Sequence, residues 1–359
     1  MAQQPFRLGH MPVLDGIRAL AILIVFVGHT KVVEPFPSGF GVTLFFTLSG
    51  YLITTLLRIE KGNNGNVSLS KFYIRRLLRI NPPLWISMIL AGLMIQIGML
   101  DLKPNPGGIV GQALFVENYV TWFTNSTGLP MPLWSLAVEE HFYLLFPAIF
   151  ILASRYLPAD RLGRYCLIAC AIVLAIRLIN ILVFKIVEPN YYLTHTRIDS
   201  ILFGCALALW RNPVLDPVKR PPLWLLILSI GVILATFVFR APLLREGLRY
   251  SIQGAATLVL FSAALQATGG PVLNLLTSRP MRLIGTYSYT LYLVHYPILV
   301  AIWQNLPGLP RIAQGSIAAA ASMAVAYLMY RLVERPLARV RHRLSDAERP
   351  VDLVSQPTI

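Results

Sequence analysis

Apolar runs of membrane length recur along the chain, near residues 12–32, 39–58, 82–100, 133–154, 164–187, 195–210, 222–239, 250–268, 283–305 and 313–333. Polar or basic stretches separate them. A helix needs roughly 20 predominantly apolar residues to cross hydrocarbon. The pattern predicts an all-α, polytopic transmembrane helix bundle of about ten spans. The run at 195–210 is short and opens on charge. The run at 109–122 is apolar but too short to cross, which predicts a re-entrant or interfacial segment. No internal repeat is visible, and no linker rich in Pro, Gly or Ser leads to a second domain. Residues 1–340 therefore read as one membrane domain, and 341–359 as a polar cytoplasmic tail expected to be disordered.

Composition supports this class. The chain is 56% hydrophobic and 13% charged, against roughly 25% charged in soluble domains. The net charge of +15 suggests nucleic acid only superficially, because Lys and Arg accumulate in the cytoplasmic loops of polytopic proteins. Ten crossings put both termini on one side. With that side cytoplasmic, 21 basic residues fall inside, 7 outside and 3 within spans. This split predicts cytoplasmic termini, with loop 240–249 as the exception. The first apolar run has no small-residue cleavage site behind it, so no cleavable signal peptide is expected. Cys166, Cys170 and Cys205 sit in apolar runs and read as small buried hydrophobes.

Ionisable groups at membrane depth are costly and mark candidate functional positions. The first run, LDGIRALAILIVFVGHT, carries Asp15, Arg18 and His29. Eleven residues turn a helix close to three full turns, so Arg18 and His29 share one face, about 16 Å apart along the axis. Asp15 lies on the same side, one turn below Arg18. The competing reading is a snorkelling Arg and an interfacial His. In PLWSLAVEEHFYLLFP, Glu139 and Glu140 lie about two turns into their span, expected in its outer half. Glu139 shares a face with Ser135, and Glu140 points about 100° away.

Arg197 and Asp199 open the sixth run, either as a local ion pair or as substrate ligands. Ser288, Tyr292 and His295 recur at i, i+4 and i+7 on one helix face, or belong to the interfacial belt. In KFYIRRLLRINPPLW, Arg76 and Arg79 share a face. Their guanidiniums suit phosphate oxygens, or anchor the chain on anionic lipid. Pro82 and Pro83 are expected to reset the chain direction. Ser49 lacks the context of a nucleophile and reads as a packing or hydrogen-bonding residue.

Together, the Arg18-x10-His29 spacing, FFTLSGYLI, RRLLRINPPLW, WSLAVEEHFYLL, RIDSILFGCALAL, YSYTLYLVHYPIL and the closing VERPL resemble the acyltransferase-3 family of integral membrane acyltransferases. The resemblance runs from Leu14 to about Leu337. It implies transfer of an acyl group, usually acetyl from acetyl-CoA, to a hydroxyl of an exported or cell-envelope glycan, with membrane lipids around it. It also implies the bacterial inner membrane and no permanently bound cofactor or metal. The expected form is a stand-alone member without the extracellular esterase-like domain.

Carried over residue by residue, the family's histidine falls on His29, its Arg-x-x-Arg pair on Arg76 and Arg79, and its Trp-Ser-Leu carboxylate on Glu139 or Glu140. Arg18, Arg76 and Arg79 are then expected at the CoA phosphates. His29 is expected as general base or transient acyl carrier, with Glu139 orienting its imidazole. Asp15, Arg197, Asp199, Ser288, Tyr292 and His295 are expected on the substrate side. A proton-coupled secondary transporter of an anionic or glycan substrate is the rival class, and a structural scaffold the third.

Overall fold

The computed structural model describes residues 9–346, with the side chains of 342–346 left aside. Fifteen α-helices are present in this range: α1 (Pro12–Thr30), α2 (Ser38–Asn64), α3 (Leu69–Gln96), α4 (Pro106–Ala113), α5 (Glu117–Thr124), α6 (Trp134–Ala153), α7 (Ala159–Leu182), α8 (Thr194–Arg197), α9 (Asp199–Trp210), α10 (Leu223–Val238), α11 (Arg249–Leu265), α12 (Pro271–Leu276), α13 (Arg279–Asn305), α14 (Arg311–Met329) and α15 (Arg335–Asp346). No strand occurs among the described residues. Wide π-turns at Leu243–Leu248 and Tyr330–Glu334 lead into α11 and α15. Helix α15 carries the chain to Asp346, so 341–346, expected as the start of a disordered tail, are helical, and the rest of that tail lies outside the described residues.

Seven helical segments are long and apolar enough to cross a membrane. Helices α9 and α10 are apolar but shorter, and α13 is 27 residues long with Arg279 and Arg282 in its first turns. The exposed side of α10 is Leu223, Trp224, Ile227, Leu228, Ile230, Leu234 and Val238. A face this apolar suits lipid rather than water.

The packing order is α14–α13–α1–α2–α9–α7, with α11 against α9 and α10 against α11. Helix α3 packs against α13 and α6, and α6 packs also against α2. Small residues set the spacing between α2 and α9. A Cβ on Gly50 would lie 2.0 Å from the Ile201 carbonyl oxygen, and one on Gly204 would lie 2.0 Å from that of Thr47. The two backbones touch, as small residues allow in membrane bundles.

A further expectation is corrected, and two apolar runs are seen to be subdivided. Pro82 and Pro83 do not turn the chain but lie inside α3, which starts at Leu69. They remove two backbone donors, yet the helix runs on through them to Gln96, and the Tyr289 hydroxyl of α13 donates to the Ile80 carbonyl just before them at 2.7 Å. The 195–210 run, read as short with charge at its start, is interrupted at Ile198. It is divided into α8 and the 12-residue α9, and 12 residues reach only about 18 Å.

The 109–122 run, read as too short to cross, lies within two eight-residue helices, α4 and α5, clamped by Gln112. The Gln112 amide donates to Glu117 at 2.8 Å and to the Leu129 carbonyl at 2.9 Å, and accepts from the Leu129 N–H at 2.8 Å. Asn118 ties α5 to Thr194 at 2.9 Å.

Gly204→Val should abolish the α2–α9 contact, at a cost of about 3 kcal/mol or more because the obstruction is backbone. Size-exclusion of detergent-solubilised protein should show loss of the monodisperse species, and an unchanged profile would reject the close-contact account.

Burial pushes the Glu117 carboxyl from its ordinary 4.5 up to about 7, against the opposing hydrogen bond from Gln112. A raised folded-state pKa gives stability that is complete below the unfolded value and is lost as pH rises through the folded one. Glu117→Gln stays neutral throughout. Its Tm advantage over the parent should therefore grow between pH 5 and 8, and a constant difference would count against the shift.

Candidate active site

A cavity of about 440 Å³ opens between α1, α2, α3, α6 and α13. One end is basic. Arg18 from α1 and Arg76 and Arg79 from α3 face the same space. Asp15 accepts from Arg18 Nη1 at 2.7 Å, and its other oxygen lies 2.7 Å from His10 Nε2. The Arg76 guanidinium lies over the rings of Phe72 and Tyr143, 5.5 and 5.4 Å from their centroids. Phosphate oxygens match such an array by charge and by the forked donor geometry of guanidinium.

Two further lining residues escaped the sequence reading. Arg341 on α15 and Glu334 on the preceding π-turn face this cavity, and the Thr290 hydroxyl donates to Glu334 at 2.5 Å. VERPL marked only the end of the pattern. Nothing in local spacing shows that the chain end folds back over α3.

Glu139 belongs to this cavity and not to His29. The Ser49 hydroxyl donates to Glu139 Oε1 at 2.9 Å, and the Tyr143 hydroxyl donates to Ser49 at 3.0 Å. This is the hydrogen-bonding role read for Ser49. The depth expected for Glu139 is corrected for a physical reason. The folded-in α4–α5 segment lets α6 begin inside the bundle, with Trp134 against Phe46 and Tyr191. Ser38 packs against Gly28, beside His29. Ser49 lies eleven residues along α2 from Ser38, which is about 16 Å. Glu139 is held at that deeper level. Glu140 does not line the cavity, and its buried Oε1 has no hydrogen-bond partner in the described structure.

Ser135, Ser288 and Tyr292 also line the cavity. The Tyr292 hydroxyl lies 2.6 Å from that of Ser135 and donates to the Pro132 carbonyl at 2.7 Å. One turn further along α13, His295 is fully buried, its ring 5.8 Å from that of Tyr292. His295 Nε2 lies 2.8 Å from His29 Nδ1, with ring centroids 5.1 Å apart and ring planes within 14° of each other, so the two rings meet edge to edge. His295 Nδ1 faces the carbonyls of Leu291 at 3.0 Å and Tyr292 at 2.8 Å. The half-buried His29 also meets the Tyr296 ring at 5.1 Å. The helix-face spacing on α13 thus brings Ser288 and Tyr292 to the cavity and His295 to the next residue of interest. Backbone contact sets the α1–α13 distance: a Cβ on Gly285 would lie 2.0 Å from the Asp15 carbonyl oxygen.

Arg197 and Asp199 do not line the cavity and do not pair with each other. Asp199 pairs with Arg177 at 2.7 Å, both fully buried. Arg197 is also fully buried, with its guanidinium 3.7 Å from the Tyr250 ring centroid and its Nη2 3.5 Å from the Thr43 hydroxyl. No group of three or more His, Cys, Asp or Glu that would hold a metal ion occurs among the described residues.

The basic cavity, suited to an anionic ligand, thus reaches Tyr292, and the imidazole pair, suited to proton transfer or nucleophilic work, lies next to Tyr292 outside the cavity lining. Comparisons with known proteins agree on the family. No solved structure matches the chain at a significant level. Curated relatives include the peptidoglycan O-acetyltransferase OatA of Listeria monocytogenes, 31% identical over 351 residues, which are 91% of this chain and 56% of the relative. The O-acetyltransferase OatA of Staphylococcus aureus is 31% identical over 314 residues, 82% of this chain and 51% of the relative. The chain spans about half the length of these relatives. The family profile described as "Acyltransferase domain" matches residues 11–331, and with nearly the whole bundle inside that match, the chain belongs to the acyltransferase-3 family.

Proposed function

We propose that this protein is a membrane O-acetyltransferase. It moves an acetyl group from cytoplasmic acetyl-CoA to a hydroxyl of an exported or cell-envelope glycan, in the bacterial inner membrane. The observation that carries this reading is the continuity along α1 and α13. The arginine-lined cavity at Arg18 runs to Tyr292, and Tyr292 adjoins the His295–His29 pair. The relatives' names supply the acyl chemistry and the glycan class. They favour transfer over the transporter reading.

In this proposal the chain crosses about ten times with both termini cytoplasmic, supported by the excess of basic residues on that side. Arg18, Arg76, Arg79 and Arg341 hold the CoA phosphates. The pantetheine arm extends toward Tyr292, and the thioester meets His29. The acceptor oxygen bonds to the thioester carbonyl carbon while its proton passes to His29. The carbon–sulfur bond then breaks, and CoA leaves as a thiolate that takes up the proton. Glu139 acts on the donor side, holding Ser49 and Tyr143 beside the arginines, and Asp15 sets Arg18.

His29→Ala should lower acetyl transfer by about 100-fold or more while the protein stays folded, within the range for removing a general base. Near-normal transfer to a glycan acceptor by the purified variant would sink the reading. Arg76→Ala with Arg79→Ala should raise the KM for acetyl-CoA by about tenfold or more, as expected for lost charge-assisted hydrogen bonds. Arg341→Ala should raise it less. A donor dependence equal to the parent's in both variants would remove these arginines from the donor site.

A further inference from the structure

His295 belongs to a hydrogen-bonded chain whose proton positions can be worked out from its fixed end. Its Nδ1 faces two backbone carbonyls, Leu291 at 3.0 Å and Tyr292 at 2.8 Å. A carbonyl oxygen only accepts, so Nδ1 must carry a proton. In the neutral ring, Nε2 is then a bare acceptor. Its neighbour at 2.8 Å is His29 Nδ1, which must therefore be the donor. The proton of neutral His29 thus sits on Nδ1, and the lone pair sits on Nε2. Two backbone carbonyls of α13 dictate which nitrogen of a side chain on α1 is basic.

We propose that His295 is a positioning residue that fixes the tautomer and the ring plane of His29, leaving His29 Nε2 as the reactive nitrogen. This rests on the acetyl-transfer reading above. The arrangement needs no rearrangement during the reaction. When Nε2 takes the acceptor's proton, His29 Nδ1 still donates to His295, and His295 still donates to the carbonyls. His295 stays neutral throughout. The same nitrogen would carry the acetyl group if His29 were an acyl carrier, so the assignment holds for either route. The relay does what a carboxylate does in a hydrolase triad, but with a neutral acceptor.

The geometry separates two near-isosteric replacements. A glutamine at 295 can place its amide oxygen where Nε2 stood and accept from His29. An asparagine matches the Nδ1 position, can still donate to the carbonyls of its own helix, and does not reach His29. His295→Gln should keep kcat for acetyl transfer within about tenfold of the parent. His295→Asn should lose about 100-fold or more of kcat with KM for acetyl-CoA within about twofold, since loss of the correct tautomer costs up to ~10⁴ in hydrolase triads.

Both variants are compared by thermal unfolding in detergent to confirm the fold. A role in packing or polarity alone predicts that the two behave alike. Equal activity, equal loss, or a better Asn variant overturns the proposal. His29→Ala in the same assay keeps the readings apart: if it retains transfer, the proposed function fails, whatever happens at 295.

Discussion

Ionisable side chains inside an apolar bundle must find partners from the protein itself, and that constraint organises this molecule. Arg177 is the clearest case. It donates to the Gly247 carbonyl at 2.8 Å, the Thr196 carbonyl at 2.5 Å, Asp199 at 2.7 Å and Ser251 at 2.6 Å. One guanidinium therefore joins α7, α8, α9, the π-turn and α11. Breaking a buried pair leaves an uncompensated charge, at a cost of about 3–5 kcal/mol. This junction fixes the start of α9. The contact of α9 with α2 through Gly50 and Gly204 fixes α2 in turn, and α2 carries Ser49 and hence Glu139.

The same constraint shapes the cavity. Arg18 faces it with Asp15 one turn away, and Arg76 is flanked by two aromatic faces. An anion entering between them would meet donors already held in place, so little ordering would remain to oppose binding. Arg197 marks the contrast. Its Nε and Nη1 have no hydrogen-bond partner in the described structure, and three ring faces and the Thr43 hydroxyl are its neighbours instead of a carboxylate. It lies behind Phe46 and Trp134, not in the cavity wall.

Periodicity made much of this legible. The face shared by Ser288, Tyr292 and His295, the pairing of Arg76 with Arg79, and the division between Glu139 and Glu140 all follow from 3.6 residues per turn. Depth was not legible in the same way. Glu139, about two turns into its span, was expected in the outer half, where it would orient His29. The Gln112 clamp that folds 101–133 inward depends on contacts among Gln112, Glu117 and Leu129, and no period encodes them. Arg177 passed as an unremarkable charge within a span for a related reason: its partners are up to 74 residues away. Arg341 reaches the cavity only because the chain end returns across α3.

Among the described residues no carboxylate bonds to His29, and this has a physical logic of its own. The two imidazoles lie among apolar and aromatic neighbours: Phe26 is 6.1 Å from the His295 ring, and Tyr296 packs on His29. An ionised carboxylate in this setting would carry a desolvation penalty before any substrate arrived. It would also hold a proton on His29 more tightly, reducing the fraction of neutral base. A neutral imidazole in the same position orients the ring through one hydrogen bond and adds no charge. Its own orientation comes from the α13 backbone, which the helix presents at no further cost. In the proposed reaction such a pair trades stabilisation of the imidazolium for a base that is neutral and correctly aligned before the acceptor binds. That trade suits apolar surroundings better than a buried ion pair would.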